Sequence, residues 1–410
     1  MLAAVTLGLA ACSSPPAVEA EPSCSWAGIW ASSQQLVEPH NELPIAPLED
    51  VTLRQTLHVS QPGERMRIRF SNEFGEGPLA IGAASAGRSA GSGRSAIAPA
   101  SAVALSFAGS PSVTIPEGAA WYSDPLGFNL AAGEDVAVTF HIVSASSRQT
   151  GHPGSRTTSY FTSGNLVFAE DLPGAERLDH WYVVSGIDAV SDRMRESVGV
   201  IGDSITDGRG STTNGNDRWT DFLADRLGSK GVSVLNFGLG GNRVLKDGLG
   251  PNALARFDRD ILAQPGLRYV IVYEGINDLG TLTRKGAVAP EVHQALVHDL
   301  EAAYTQMVER AHAHGISAIG ATIAPYRGNQ FYSFDPATEQ DRQEVNVWIR
   351  SSGVFDAVLD FDRVLRDPDN PDRLSPEFDS GDGLHPSPAG FAEMAASVPL
   401  DLFADAEPCR

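Results

Sequence analysis

The chain of 410 residues carries 51 Asp and Glu against 30 Lys and Arg, a formal net charge of −21. Hydrophobic residues make up 42% and charged residues 20%, ordinary globular proportions and enough for two domains at about 150 residues each. So acidic a surface repels phosphate backbones and argues against nucleic-acid binding. A mean hydropathy of −0.13 and the lack of any apolar run of about 18 residues exclude a polytopic membrane protein.

Residues 1–22 read as a targeting segment and tether. Met1 to Ala11 is a short apolar run ending in small residues, too short to span a bilayer and similar to the apolar region of an export signal. Leu9-Ala10-Ala11-Cys12 resembles a bacterial lipobox, with Cys12 as the lipidated residue. The alternative is cleavage after Val18-Glu19-Ala20 and free secretion. Either way the protein is expected to be exported, periplasmic or on the cell surface, and to touch membrane only through a lipid anchor. The three cysteines form no C-x-x-C pair, which leaves no zinc ribbon or thioredoxin-like motif. An oxidising compartment permits a disulfide between Cys24 and Cys409, which would join the two ends; the alternative is two unpaired thiols.

Residues 23–190 are rich in Gly, Ser, Ala, Thr and Val and show no helical periodicity. Thr52 to Val59 and Arg65 to Phe70 alternate polar and apolar residues. Val136 to Val143 and Tyr182 to Val184 read as further strands. Gly-rich turns such as Phe74 to Pro78 separate them, which predicts an antiparallel β-sandwich. Gly87 to Pro99 reads as a low-complexity surface loop.

From residue 191 to 410 the period changes. Short apolar strands are expected at Val198–Ile201, Val232–Phe237, Tyr269–Tyr273, Ile316–Ile323 and Val354–Phe361. Between them Trp219, Phe222, Leu223 and Leu227 recur at helical spacing, as do Leu296, Leu300, Tyr304, Met307 and Ala311. Gln340–Arg350 and Pro388–Ala396 also read as helices. Alternating strands and helices imply a parallel, doubly wound α/β sheet, with ligands beyond the carboxyl ends of its strands.

Four motifs follow strands. Gly202-Asp203-Ser204-Ile205-Thr206-Asp207-Gly208 places a Ser between a strand end and a helix start, where backbone N–H groups converge. That suits a nucleophile whose attack creates an oxyanion; a plain helix cap is the alternative. Asn236 to Asn242 is a glycine-rich turn that lets backbone N–H groups approach a ligand. It lacks the spacing of phosphate or dinucleotide loops. Glu274-Gly275-Ile276-Asn277-Asp278 offers the Asn277 amide to a developing negative charge. Asp382-Gly383-Leu384-His385-Pro386 supplies a candidate base, His385, with Asp382 to set its tautomer. Local turn chemistry is the alternative for each of the last three motifs.

Together, Ser204, Gly241, Asn277 and His385, in that order over about 180 residues, resemble the SGNH hydrolase superfamily, also called GDSL esterases. The resemblance implies a flavodoxin-like, doubly wound parallel five-stranded sheet. It implies Ser204 as nucleophile, His385 as base and Asp382 as orienting acid. It implies an oxyanion hole from the Ser204 and Gly241 backbone N–H groups and the Asn277 side chain, with Gly238 and Gly240 as close competitors for the Gly241 role. No metal or organic cofactor is required. The stretch Gly202 to Arg218, behind an N-terminal β-domain, looks like the branch that includes xylan-deacetylating esterases. It points to short-chain esters, O-acetyl groups on carbohydrate first, with a small-molecule or carbohydrate ester as the partner. A general short-chain carboxylesterase or arylesterase, and a surface carbohydrate-binding protein with a dead hydrolase domain, are the alternatives.

Other groups have blander readings. Trp26, Trp30, Trp121 and Trp181 are candidates for sugar stacking or for the core. His293 and His298 are expected on a solvated helix face. His58, His141, His152 and His180 match no motif. Asp367 to Asp372 reads as a surface loop before a calcium site.

Overall fold

The computed structural model describes residues 25–190 and 196–405. Cys12, Cys24 and Cys409, and with them the lipidation and disulfide expectations, lie outside the described residues.

The C-terminal part is built on one parallel sheet. Its strands are β1 (Glu196–Gly202), β2 (Val232–Gly238), β3 (Leu267–Tyr273), β4 (Ser317–Ala321) and β5 (Ala357–Leu359). They run in the order β2-β1-β3-β4-β5, that of a flavodoxin-like doubly wound fold. Both faces are covered, so the strands carry near-continuous apolar runs: Val198, Val200, Ile201, Val270 and Ile271 have no exposed surface. Helix Trp219–Leu227 buries Trp219, Leu223 and Leu227 on one stripe. Helix Pro290–Ala313 does the same with Val297, Leu300, Tyr304, Met307 and Ala311. Register matters for the chemistry. Gly202 of β1 pairs with Gly238 of β2 and with Tyr273 of β3. Three strands therefore end level, and the turns after them open onto one spot.

Residues 25–190 form three antiparallel sheets, two large and one small. The first orders Ala27–Ala31, Val184–Val190, Gly63–Ser71 and Ala120–Tyr122, with Leu126–Leu130 also on Gly63–Ser71. The second is built round Glu49–His58, Asp135–Ser144 and Leu79–Arg88. Alternation sets which residues meet between them: Met66, Ile68 and Phe70 face in, and Phe70 meets Phe140 of the other sheet edge-to-face at 5.6 Å. A small third sheet joins Gln35–Leu36, Thr150–His152 and Trp181–Tyr182. Val183, at φ 66°, separates Trp181–Tyr182 from Val184–Val190, so the expected strand end is a break between two sheets.

Several side chains differ from their sequence reading. Gly87 and Arg88 belong to the strand Leu79–Arg88 rather than to the loop after it. Trp30 and Trp181 pack edge-to-face at 5.0 Å inside the sandwich. His293 is buried, not solvated, because its Nδ1 lies 2.5 Å from Asp341 Oδ2 on the neighbouring helix. His298 is exposed.

The sandwich docks on the β2 side of the parallel sheet. Strand Ala27–Ala31 is buried throughout, and the Gly28 N–H donates to Pro265 O at 3.2 Å. Gln61 Nε2 donates to Val232 O at 3.0 Å, and the Val234 N–H to Ser60 Oγ at 3.2 Å. The deepest joint is Arg256, 1% exposed. Its Nη1 donates to Ser33 Oγ (2.9 Å), Phe237 O (2.7 Å) and Asp260 Oδ2 (3.0 Å). Its Nη2 donates to Gly202 O (3.0 Å) and lies 3.4 Å from Glu274 Oε1, while Nε donates to Asn242 Oδ1 at 3.0 Å. Removing one partner of such a buried network leaves uncompensated charge. Arg256→Met is therefore expected to cost about 3–5 kcal/mol in urea unfolding. Arg327→Met, which breaks the half-exposed pair with Asp372, should cost less than about 1 kcal/mol.

Candidate active site

An open cleft of about 450 Å³ lies over the carboxyl ends of β1, β2 and β3. Ser204, Gly240, Gly241, Asn277 and His385 line it from the parallel-sheet side. Gln35, Glu38, Asn41, Pro153, Arg156 and His180 line it from the sandwich side.

Ser204 opens a single helical turn, Ser204–Asp207. Asp203 caps it by accepting the Ile205 N–H at 2.9 Å, and Gly208, at φ 102°, ends it. Gly202 is obligatory, because a Cβ there would run into Thr206 and the Tyr273 carbonyl. Ser204 Oγ lies 2.8 Å from His385 Nε2, and His385 Nδ1 lies 2.7 Å from Asp382 Oδ2. The other Asp382 oxygen accepts the N–H groups of Leu384 and His385, each at 2.9 Å. A carboxylate so held only accepts, which fixes the proton on Nδ1 and leaves Nε2 free to accept from Ser204. Burial works against the Asp382 charge, but its bonds to His385 and Leu384 outweigh this and hold it down at about 2. Burial lowers the His385 imidazole; Asp382 raises it, while Arg209 and Arg156 lower it further. Phe331 packs edge-on against the imidazole at 5.5 Å.

The residues expected to form an oxyanion hole are held as follows. Gly238 has spent its N–H on Asn236 Oδ1 (2.8 Å) and Leu239 on Gly202 O (2.9 Å). That leaves Gly240 and Gly241, both on the cleft, with no acceptor among the described residues. Asn277 donates one amide hydrogen to Asn242 O at 2.7 Å and accepts the Tyr332 hydroxyl at Oδ1, 2.5 Å. The amide is thereby oriented, with its second hydrogen unclaimed.

Beneath the cleft sit three carboxyls that burial disfavours as anions. Asp203 is pushed up to about 7 by burial, with Asp278 and Asp207 adding to it. Asp278 rises to about 6 through burial, despite accepting the Val244 and Leu245 N–H groups. Glu274 is pushed well above the carboxylate range by burial and by Asp203, against the pull of Arg256.

Several residues of the site match no motif. His152 places Nε2 2.8 Å from Asp207 Oδ1 and Nδ1 2.9 Å from Ser33 O. Both ring nitrogens of this second histidine–aspartate pair are thus engaged. The pair joins the sandwich to the last residue of the Ser204–Asp207 turn. Gly154 fits against Asp207 because it has no Cβ. His180 Nδ1 lies 2.5 Å from Pro153 O, and the Tyr182 hydroxyl donates to Asn41 O at 2.5 Å. None of Trp26, Trp30, Trp121 and Trp181 lines the cleft; its aromatic residues are Phe331 and Tyr332. Among the described residues no cluster of three His, Cys, Asp or Glu side chains could hold a metal ion. Asp367 instead bonds its own loop through the Asp369 N–H and Asn370 Nδ2.

Residues 200–392 match the family described as GDSL-like lipase/acylhydrolase. No curated protein matches the sequence. Similar solved structures include a lipolytic protein of the G-D-S-L family from Desulfitobacterium hafniense, 27% identical, covering 49% of this chain and 96% of that one, at a TM-score of 0.36. A GDSL-like lipase from Bacteroides thetaiotaomicron is 19% identical, with coverages of 50% and 88% and a TM-score of 0.38. An acetyl xylan esterase is 18% identical, with coverages of 49% and 96% and a TM-score of 0.37.

The buried carboxyls set a stability profile. Asp203, Asp278 and Glu274 have folded pKa values above their unfolded ones. Their contribution is full below the unfolded carboxylate range and is lost as pH rises through about 6 and 7. Asp382 and Asp260, both held at about 2, act in the opposite sense and lose their contribution as pH falls through that value. Thermal unfolding should therefore show the highest Tm on the acidic side of neutrality and a decline of several degrees from there to about pH 8. Asp203→Asn keeps the helix cap and should flatten that decline.

Proposed function

We propose that this chain, whose residues 200–392 form a domain of the GDSL-like lipase/acylhydrolase family and make it a carboxylic ester hydrolase, cleaves short-chain esters through a Ser204-His385-Asp382 triad. The observation that carries this reading is the continuous chain of contacts from Ser204 Oγ to His385 to Asp382, at 2.8 and 2.7 Å, in an open cleft.

Ser204 gives its proton to His385 Nε2 as Oγ attacks the ester carbonyl. Asp382 stabilises the imidazolium that forms. The Ser204 and Gly241 N–H groups and the free Asn277 amide hydrogen receive the oxyanion, and Gly240 stands next to them. Collapse expels the alcohol, which takes the proton from His385. Water activated by His385 then releases the acid. Tyr332 is a positioning residue, because it acts through Asn277.

The cleft favours a small acyl group and a hydrophilic alcohol. Its walls carry Glu38, His40, Asn41, Arg156, His180 and Arg209, beside apolar surface from Pro153, Leu239, Leu249, Leu384 and the two aromatics. That supports O-acetyl groups on carbohydrate, in keeping with the Gly202 to Arg218 stretch. A relative rate on acetylated xylan against 4-nitrophenyl acetate separates this from a general carboxylesterase. An intact triad geometry opposes the non-catalytic alternative. The export and lipid-anchor readings belong to the N-terminal sequence and rest on it alone.

Ser204→Ala and His385→Ala are each expected to lower kcat by about four orders of magnitude or more, with folding intact by circular dichroism. Asn277→Ala should lower kcat by about a hundredfold with little change in KM. Tyr332→Phe should lower kcat by about tenfold, again at constant KM, through the freed amide. The acid limb of kcat/KM should fall below the ordinary imidazole range, since the free enzyme's His385 is lowered. Wild-type turnover in Ser204→Ala would show the mechanism to be wrong.

A further inference from the structure

The cleft holds charge that ester hydrolysis does not use. Arg156, Arg209 and Arg284 all line it, in a chain with a net charge of −21. They come from separate segments: Arg156 follows the strand Thr150–His152, Arg209 the catalytic turn, and Arg284 the helix Ile276–Leu282. Arg209 comes no nearer to a carboxylate than 4.0 Å, at Asp382, and its guanidinium lies over the Phe331 ring at 4.8 Å. The Arg284 guanidinium lies over Tyr332 at 5.6 Å. Among the described residues neither Arg284 nor Arg156 pairs with a carboxylate.

Arg156 is the most unusual of the three. Its Nε is buried without a partner, and among the described residues no hydrogen bond engages its Nη groups, which leaves the guanidinium on the cleft wall with nothing to satisfy it. Its φ of 51° lies in the left-handed region that arginine disfavours. The loop is nonetheless pinned: Arg156 O accepts the Asn214 N–H at 2.8 Å, and Ser155 O accepts from Arg218. The two carboxylates on the cleft are already engaged. Glu38 accepts from Gln35 Nε2 (2.7 Å) and Asn41 Nδ2 (3.1 Å), and Asp207 is held by His152.

We infer that the ester taken by this site carries a carboxylate near the scissile bond, an O-acetylated acidic sugar, with Arg156 and Arg284 as its receptors and Arg209 beside them. This rests on the ester-hydrolase reading above. A guanidinium fork matches a carboxylate in shape as well as charge. The acidic surface repels a long polyanion, but screening over about 8 Å at physiological salt leaves the near field of the arginines to act on a short one. The substrate is therefore an acidic monosaccharide or short oligosaccharide.

The test compares kcat/KM of the full chain on methyl 3-O-acetyl-galacturonoside and methyl 3-O-acetyl-galactoside, which differ at one carboxylate, with 4-nitrophenyl acetate as a third substrate. The expected result is a preference of about tenfold or more for the acid, carried by KM and shrinking as salt is raised from low to high. Arg156→Gln and Arg284→Gln should each reduce the preference, and Arg156→Lys should retain more of it than Arg156→Gln. Equal turnover of the two sugars, or a preference that survives both Gln variants, overturns the inference and leaves the ester-hydrolase reading standing. Loss of all three activities, together with no labelling of Ser204 by a fluorophosphonate, brings down the reading itself.

Discussion

Arg256 is a full positive charge placed where water cannot reach it, and a buried guanidinium is tolerable only when nearly every N–H finds an acceptor. Satisfying it draws together Gly202 from β1, Phe237 from β2, Glu274 beyond β3, Asn242 beyond β2 and Ser33 from the sandwich. Those are the strand ends that carry Ser204, Gly240, Gly241 and Asn277. Asn242, oriented by Arg256, is also the residue whose carbonyl orients the Asn277 amide. The geometry of the cleft is thus tied to one side chain that never touches it.

The same centre explains why the site tolerates so many acidic groups. Asp260, against Arg256 and Arg259, stays charged, with burial overcome at about 2. Asp203 and Glu274 lie where the same cation cannot offset burial and mutual repulsion, and they are pushed towards the neutral form. One buried helical turn serves two histidines. Ser204 at its start meets His385, and Asp207 at its end meets His152. The first contact moves a proton in the proposed reaction, and the second fastens the sandwich to the turn.

The parallel sheet and its motifs were legible because they are local: apolar runs, helical periodicity, and Ser204 and Asn277 a few residues beyond β1 and β3. The register of Gly202 with Gly238 and Tyr273 then brings those motifs together. What stayed hidden is long-range. His152 meets a partner 55 positions away, Tyr332 meets Asn277 at the same separation, and Arg256 meets Ser33 at 223. No spacing rule spans such distances. His293 failed for the same reason, since the polar face it occupies is covered by Asp341 from another helix. Gly238 was separable from Gly241 only once its N–H had been traced to Asn236 Oδ1.

The sandwich side of the cleft hangs from elements whose packing lies elsewhere. Asn41 is tied through Tyr182, and Pro153 through His180, both beside the small third sheet. Neither tie passes through Ser204, His385 or Asn277. In the proposed reaction, the reacting groups and the Asn41 side of the cleft are therefore held by separate contacts. Loop exchange at residues 38–41 offers a way to alter that wall while the contacts of His152, Gly154 and Ser155 around the Ser204 turn stay in place.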